Sequence, residues 1–365
     1  MHLVHLIARL NDGGPARVIA GLGAECVRRG HRVTVLTGVC AGEPDIADQV
    51  AASGCAVIRV PGLGRALSPL DDLRAAWAVL WALRGLRPDL VHTHTAKAGL
   101  LGRIACRLLG LPCLHTYHGH VLSGYFTPGV SRMLAWAERL AAGTAHHHSL
   151  TPALVCELAI HHRIGRPSRW HSLPVPVPSL IRRPAAWQRD LLPGRPVVGF
   201  LGRLVTIKDG DLWLATLAEL ARHLPVQGLI CGDGPERARL ETKAQSLGVP
   251  VLFTGFVPGA EALAVIEVLI ISSRNEGQPL VAVEAAGVAV PVVATRVGGL
   301  IDCERWGLVA GAARDPQALA AVALPMLTDV AARRRRITRA AACARKLTPE
   351  ALMPAYENLY RQVVA

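Results

Sequence analysis

Residues 2–38 read HLVHLIARLNDGGPARVIAGLGAECVRRGHRVTVLTG, and the pattern of apolar residues and glycines in them indicates the fold class. The apolar run His2–Ile7 predicts a buried strand, and the glycine-containing turn Asn11–Gly14 follows it. Pro15–Arg29 predicts a helix that carries a proline in its first turn, and Arg32–Thr37 predicts the next strand. A strand, a helix and a second strand in this order are typical of a right-handed βαβ unit in a parallel sheet.

The same alternation continues along the chain and is interrupted once. Six prolines between residues 174 and 196 disfavour regular helix or central strand, and they predict a stiff connector. After it the alternation restarts with a predicted strand at Val197–Leu201. We therefore expect an α/β protein of two Rossmann-like, doubly wound parallel-sheet domains, 1–182 and 196–345, joined by a linker at 183–195.

Composition excludes several classes of protein. The 365 residues are 51% hydrophobic and 18% charged, which argues against disorder and coiled coil. No apolar stretch approaches the roughly 20 residues that cross a bilayer, and no signal peptide is visible at the start of the sequence. Nine cysteines without a CxxC pair predict reduced thiols in apolar segments. These features predict a cytoplasmic protein.

The charge is uneven between the two halves of the sequence. Residues 1–185 carry 20 basic and 10 acidic side chains, a net of +10, whereas residues 186–365 have a net of +3. A basic first half fits an anionic membrane surface or an acidic substrate. Nucleic acid is not expected as a partner, because the arginines are dispersed without interleaved aromatic residues.

Candidate ligand-binding residues follow the predicted strands, because ligands bind at the carboxyl ends of parallel strands. Gly13 and Gly14 allow close approach of a ligand to backbone amides at a helix N-terminus. Arg203 and Lys208 follow the first strand of the second domain, where both could reach one diphosphate. Asp209-Gly210-Asp211 has the form of a DxD metal motif, but its place at a helix start favours capping, so no metal is expected.

The most informative motif is NEGQPLVAVEA, residues 275–285. Glu276 lies in a loop after a predicted strand, and Glu284 lies within an apolar helix. A carboxylate among valines and alanines is costly unless it is hydrogen-bonded, so Glu284 requires a structural partner or a ligand hydroxyl pair. The residues Gly277, Gln278, Pro279 and Leu280 lie at the predicted helix N-terminus, where amides can hold phosphate oxygens.

Glu276 and Glu284 form an E-x7-E motif, and with it the sequence resembles the family 4 retaining glycosyltransferases of the GT-B fold. The resemblance extends in order along most of the chain. It includes the glycine loop of residues 11–38, HTHTAKAGLLGRIACRLLGLP, TYHGH, GFLGRLVTIKDGDLWL and LICGDGPERARLE. It implies two domains that face an interdomain cleft, with a C-terminal segment, 346–365, that crosses back to the N-terminal domain.

The resemblance also implies a role for each candidate residue. Glu284 would take the ribose hydroxyls of a nucleotide sugar, and Glu276 would contact the transferred sugar. Arg203 and Lys208 would neutralise the diphosphate, with help from amides of residues 277–280 and from Gly13 and Gly14. Phe256 and Val257 would meet the nucleobase. His118 would lie near the anomeric carbon and act in catalysis, with His120 as a weaker candidate, and Tyr356 and Tyr360 would pack the returning helix.

The expected activity is metal-independent transfer of a sugar, with retention, from a UDP-linked donor to a glycan or lipid-linked acceptor. No cofactor is expected, and the basic first half suggests a peripheral position on the inner face of a membrane. Two alternatives remain: a GT-B-fold UDP-sugar epimerase, and a non-catalytic glycosyltransferase-like nucleotide-binding protein. The second is raised by departures from the family pattern at 174–178 and at His146–His148. We expect the three adjacent histidines to form a polar or partly exposed strand.

Overall fold

The computed structural model describes residues 1–40, 44–64, 68–119, 122, 127–143 and 145–365. The chain divides into two compact units. The first comprises Met1–Val177 and Thr348–Ala365, and the second comprises Pro178–Leu347. Each unit has its own parallel sheet, which confirms the predicted α/β architecture.

The first unit is built on a seven-stranded sheet of order β3-β2-β1-β4-β5-β6-β7, in which all neighbouring strands pair in parallel. The strands are β1 (His2–Arg9), β2 (Arg32–Gly38), β3 (Ala56–Arg59), β4 (Leu90–His94), β5 (Cys113–Tyr117), β6 (His146–Ser149) and β7 (Trp170–Ser172). The helices are α1 (Gly14–Arg28), α2 (Ala47–Ala52), α3 (Pro69–Leu86), α4 (Ala96–Leu109), α5 (Pro128–Ala142) and α6 (Pro152–Val155).

The order of these strands separates the helices into two layers. The chain moves in one direction along the sheet from β1 to β3 and in the other from β4 to β7. Because parallel crossovers are right-handed, the two directions place their helices on opposite faces of the sheet. On one face α4 packs between α3 and α5.

The second unit contains a six-stranded parallel sheet of order β10-β9-β8-β11-β12-β13. The strands are β8 (Val197–Leu201), β9 (Gln227–Cys231), β10 (Val251–Gly255), β11 (Val268–Ile271), β12 (Val292–Thr295) and β13 (Ala310–Ala312). The helices are α7 (Gly210–Ala221), α8 (Arg237–Leu247), α9 (Gly259–Val265), α10 (Leu280–Gly287), α11 (Leu300–Arg305), α12 (Pro316–Thr328) and α13 (Val330–Ala344). Its core contains the fully buried Trp213, whose indole donates to the carbonyl of Gly199.

The last helix, α14 (Pro349–Val364), is part of the first unit, where it packs on α1 and on β4 and β5. Thr348 caps its N-terminus by accepting from the amide of Ala351. Tyr356 and Tyr360 are fully buried. The Tyr356 hydroxyl donates to the carbonyl of Pro174, so the helix is fixed by polar contacts as well as by apolar packing.

The nine cysteines are free thiols, and six of them are buried, as their apolar surroundings predict. Burial raises the pKa of Cys231 to about 11, which keeps this thiol protonated near neutral pH. Every helix among the described residues is too short or too polar to cross a bilayer.

Candidate active site

The loops after β8 and β9 approach each other so closely that one position requires glycine. The amide of Gly202 donates to the carbonyl of Cys231, and the amide of Leu204 donates to Asp233. A Cβ on Gly232 would lie 1.9 Å from the carbonyl oxygen of Gly202. This packing brings the ends of the two strands together and leaves the side chain of Arg203 exposed.

Lys208 and Glu276, which the sequence places 68 residues apart, form an ion pair in this unit. The Lys208 ammonium and the Ser273 hydroxyl both donate to Glu276 Oε1, the latter at 2.7 Å. The segment that carries Lys208 is fixed to the end of β11, because Ser272 donates to the Lys208 carbonyl and the amide of Arg274 donates to Ile207. Ser273 is a residue that sequence reasoning did not single out.

The loop that carries Glu276 is held by a glycine turn after β12. The amide of Gly299 donates to the Glu276 carbonyl at 2.9 Å. Gly298 has φ +49°, and a Cβ there would lie 2.5 Å from the same carbonyl oxygen. Both the left-handed backbone and the close approach therefore require glycine at this position. The turn was not predicted, although two adjacent glycines after a predicted strand were a signal for it.

Helix α10 begins directly after this loop and has no side-chain cap at its N-terminus. Its N-cap residue is Pro279, which has no N–H, so the amide donors of the predicted stretch are Gly277, Gln278 and Leu280. Gly277 and Gln278 are buried. Uncapped amides at a helix start, with the positive end of the helix dipole, favour an anion.

Glu284 lies on α10 and its carboxylate approaches the start of α9. A Cβ on Gly259 would lie 3.7 Å from Glu284 Oε2. Phe256 and Val257 come just before α9, and the Phe256 side chain is 70% exposed. The fold therefore brings Glu284 close to the start of α9, three residues after Phe256 in the chain.

The two aspartates of the DxD-like motif are both engaged within the protein. Asp209 caps α7, accepting from the amide of Leu212, and it also accepts from Arg274 and Arg314. Asp211 pairs with Arg239 and Lys243, and hydrogen bonds from Arg239 come first among the causes that lower its pKa. The arrangement agrees with the capping interpretation.

Gly13 and Gly14 lie between β1 and α1 in the first unit. Gly13 is the N-cap of α1, and no side chain caps this helix start among the described residues. Arg17 and Asp12 form an ion pair on the same loop, with a shortest distance of 2.6 Å.

His118 follows β5 in the first unit and is connected to a chain of histidines. Its Nε2 lies 2.9 Å from His94 Nδ1, and His94 Nε2 lies 3.1 Å from His5 Nδ1. Burial lowers the pKa of His118 to about 3 and that of His5 to about 4, so these rings are neutral near pH 7. His120 lies outside the described residues.

The chain of hydrogen bonds assigns a tautomer to His118. His5 Nε2 is buried and has no partner among the described residues. A buried acceptor without a partner is more common than a buried N–H without one, so the proton of His5 belongs on Nδ1. His5 then donates to His94, and His94 Nδ1–H donates to His118 Nε2. His118 is left with an Nδ1–H that can donate to a ligand.

The structure confirms a strand of polar residues at the three adjacent histidines, but the expected partial exposure holds only for His146. His147 and His148 are fully buried, because β6 lies between β5 and β7. His148 is accommodated by hydrogen bonds to Thr116 and to the carbonyl of Leu173. His147 instead packs against Trp170, with the ring centroids 5.0 Å apart, and both its nitrogens lack a partner among the described residues.

His5, His92 and His94 also come within reach of one another as potential metal ligands, each offering a nitrogen within 4.8 Å of the others. Five of their six ring nitrogens are already hydrogen-bonded, however, and His5 Nε2 is the one without a partner among the described residues. His92 contacts Thr116 at 2.6 Å and the Tyr360 hydroxyl at 3.1 Å. The His5 and His94 rings are stacked. Binding a metal would require these rings to turn and to lose those hydrogen bonds, so we interpret the group as a hydrogen-bonded core.

Two family models match the chain, one in each half. The model for the glycosyl transferase 4-like domain matches residues 13–176, and the model for glycosyl transferases group 1 matches residues 195–329. Among curated proteins, the 2-deoxystreptamine glucosyltransferase of Streptomyces kanamyceticus is 33% identical over 67% of this chain and 70% of its own. The GDP-mannose-dependent alpha-mannosyltransferase of Mycobacterium tuberculosis is 33% identical over 77% of this chain and 76% of its own.

The Escherichia coli UDP-Gal:alpha-D-GlcNAc-diphosphoundecaprenol alpha-1,3-galactosyltransferase is 28% identical over 66% of this chain and 66% of its own. Among solved structures, HepE of Anabaena, in complex with UDP and glucose, superimposes with a TM-score of 0.84 at 19% identity. That alignment covers 99% of this chain and 100% of HepE. This likeness confirms the GT-B fold.

Proposed function

The chain belongs to the glycosyltransferases that these two family models describe, and we propose that it transfers a hexose from a UDP-sugar with retention of configuration. The proposed acceptor is a glycan or lipid-linked precursor of a cell-surface polysaccharide or glycolipid. The observation that carries the donor assignment is the contact of Lys208 with Glu276, directly before the uncapped N-terminus of α10.

The proposal gives each side chain of the second unit a separate part of the donor. Arg203 and Lys208 neutralise the diphosphate, and the amides of Gly277, Gln278 and Leu280 donate to its oxygens. Glu276 binds hydroxyls of the transferred sugar. Glu284 accepts from the ribose hydroxyls, while Phe256 and Val257 contact the base, in keeping with the neighbourhood that Glu284 shares with the start of α9.

The chemistry requires stabilisation of a leaving group rather than a protein nucleophile. The bond from the anomeric carbon to the diphosphate breaks, and a bond from that carbon to the acceptor oxygen forms on the same face. The acceptor proton passes to the departing phosphate. Charge develops on that phosphate, and Arg203 and Lys208 would stabilise it without a metal ion. His118, neutral and with its Nδ1–H available, is assigned the donation of a hydrogen bond to the reacting sugar phosphate.

The names of two relatives support a UDP-sugar and a lipid-linked acceptor. The E. coli galactosyltransferase is named for UDP-galactose and a diphosphoundecaprenol acceptor, and HepE was crystallised with UDP and glucose. The net charge of +10 over residues 1–185 supports a peripheral position on the inner face of an anionic membrane. The M. tuberculosis relative is named for GDP-mannose, so GDP is the competing nucleotide.

A calorimetric titration with UDP, GDP, ADP and uridine, each with and without chelator, tests the donor assignment. We expect UDP to bind best, binding to be insensitive to chelator, and uridine to bind weakly because it lacks the diphosphate. Slow release of free sugar from a UDP-sugar would then identify the donor. Preference for GDP would overturn the nucleotide assignment, and no binding of any nucleotide would overturn the transferase assignment itself.

A further inference from the structure

Half of the exposed large apolar side chains in the described part of the chain lie on three consecutive helices of the first unit, α3, α4 and α5. Their members, which we call the three-helix patch, are Leu70, Leu73, Trp77, Trp81, Ile104, Leu108, Val130, Met133, Trp136 and Leu140. Because α4 packs between α3 and α5 on one face of the sheet, these side chains belong to one outer surface. Surfaces of this kind mark interaction sites.

Helix α3 is apolar on two sides, and packing within the unit uses only one of them. Ala75, Val79 and Leu83 form its buried stripe at helical spacing. On the other side Trp77 and Trp81 are 55% and 62% exposed. A helix that is apolar on its outer side as well as its inner side has a second apolar environment to contact.

Helix α5 repeats this pattern. Met133, Trp136 and Leu140 follow one another at spacings of three and four residues, and each is at least 56% exposed. The three tryptophans among the exposed large apolar residues of the described chain are therefore all in the three-helix patch. Tryptophan is the side chain that favours the boundary between lipid and water.

Basic side chains lie among these apolar ones. Arg84, Arg107 and Arg132 are exposed, one on each helix, and the Arg84 guanidinium lies 5.9 Å from the centre of the Trp81 ring. A surface groove of about 360 Å³ opens at the ends of α3 and α4, lined by Leu83, Arg84, Arg87, Pro88, Leu109 and Leu111. Guanidinium groups beside an apolar groove suit a phosphate headgroup with the start of its acyl chains.

We propose that the three-helix patch docks the enzyme onto an anionic phospholipid bilayer, with its tryptophans at the level of the headgroups. Exposed arginines attract anionic lipid, and the apolar stripes of α3 and α5 enter the interface. The proposal extends the peripheral membrane position given above, because it assigns that position to a defined surface rather than to net charge. It does not depend on which nucleotide sugar the enzyme uses.

Sedimentation of the full-length chain with vesicles tests the proposal. We expect binding to mixed phosphatidylcholine and phosphatidylglycerol vesicles, little binding to phosphatidylcholine alone, and a blue shift of tryptophan emission on binding. The variant Trp77→Gln/Trp81→Gln/Trp136→Gln should weaken partition by about tenfold or more. Ile160→Gln, which changes a residue that is 66% exposed in the same unit but outside the patch, should bind as the parent does.

The charged part of the surface has its own variant. Arg84→Gln/Arg132→Gln should reduce binding to anionic vesicles, whereas Arg222→Gln, at a 74% exposed arginine of the second unit, should not. Absence of vesicle binding, or equal binding by the triple tryptophan variant, would overturn the proposal. A concentration-dependent dimer that the triple variant abolishes would also overturn it, because a second copy would then cover the patch. UDP affinity, measured on the same samples, tests the donor assignment independently of vesicle binding. Failure of one proposal can therefore be distinguished from failure of the other.

Discussion

His118 Nε2 lies 2.9 Å from Nδ1 of His94, a histidine that is itself fully buried on β4. His94 therefore fixes both the orientation and the tautomer of the ring assigned to catalysis. His94→Leu removes this hydrogen bond, and we expect kcat to fall by about 10- to 100-fold because the ring is no longer held in place. UDP affinity should stay unchanged.

His94→Asn is the matched control, because an asparagine amide can place a hydrogen-bonding atom near the former Nδ1 position. Steady-state kinetics together with UDP titration distinguish positioning from general damage to the fold. Equal kcat for His94→Leu and the parent would contradict the positioning role. Equal loss of kcat in His94→Leu and His94→Asn would assign the effect to packing.

The ion pair between Glu276 and Lys208 predicts that one substitution at Glu276 affects UDP binding and UDP-sugar turnover differently. The Glu276 carboxylate accepts a hydrogen bond from the Lys208 ammonium. Glu276→Gln leaves the positive charge of Lys208 less compensated, so UDP should bind as tightly as before or more tightly. Turnover of the UDP-sugar should fall, because the contact to the transferred sugar is weakened. Weaker UDP binding together with unchanged turnover would contradict both assignments.

Arg103 and Glu138 form a buried pair that predicts a large loss of stability when it is broken. The Arg103 side chain is fully buried, and both its guanidinium and the Tyr117 hydroxyl donate to Glu138, each at 2.8 Å. Glu138→Ala leaves this charge buried without its partner, which costs about 3–5 kcal/mol of unfolding free energy. Glu267→Ala, which breaks the partly exposed pair with Arg333, should cost less than about 1 kcal/mol in the same urea titration. Similar losses for the two variants would contradict the account.

The fold was predictable because its signals are local. The first helix begins within one residue of the predicted Pro15, and the predicted strand Val197–Leu201 coincides with β8. The burial of His148 was not predictable, because it depends on Thr116 of β5 and on the carbonyl of Leu173, and that of His147 depends on packing against Trp170. A polar residue type suggests exposure, whereas tertiary partners make a neutral imidazole acceptable in a core.

The candidate site was also only partly predictable from the sequence. The E-x7-E segment and Lys208 could be named from the sequence, because strand-end loops carry ligand-binding residues. The contact of Ser273 with Glu276 and the support from Gly298 depend on which strands are neighbours. Neither feature is encoded in the local pattern around Glu276.

The buried histidines predict a dependence of stability on pH. Burial lowers the pKa of His147 to about 3 and of His148 to about 4, whereas an unfolded histidine titrates near 6.5. As the pH falls below about 6.5, the unfolded chain binds protons that the folded chain does not, so stability is lost. The loss approaches about 1.4 kcal/mol per pH unit for each such histidine.

Urea unfolding between about pH 7.5 and pH 5 measures this slope, because that range spans the ordinary histidine pKa of about 6.5. His147→Leu removes one titrating group that has no hydrogen-bond partner among the described residues, so its slope should be shallower. An unchanged slope in His147→Leu would contradict the assignment of acid sensitivity to this strand.

The donor assignment depends most on the proposed contacts of Arg203 and Lys208 with the diphosphate. Calorimetric titration of UDP into Lys208→Ala and Arg203→Ala tests it most directly. Each variant should bind UDP about 10- to 100-fold more weakly, because each loses a charge-assisted contact. Lys243→Ala, which removes an equal charge from the Asp211 pair, should bind as the parent does. Unchanged UDP affinity in both Arg203→Ala and Lys208→Ala, with the fold intact, would contradict the account.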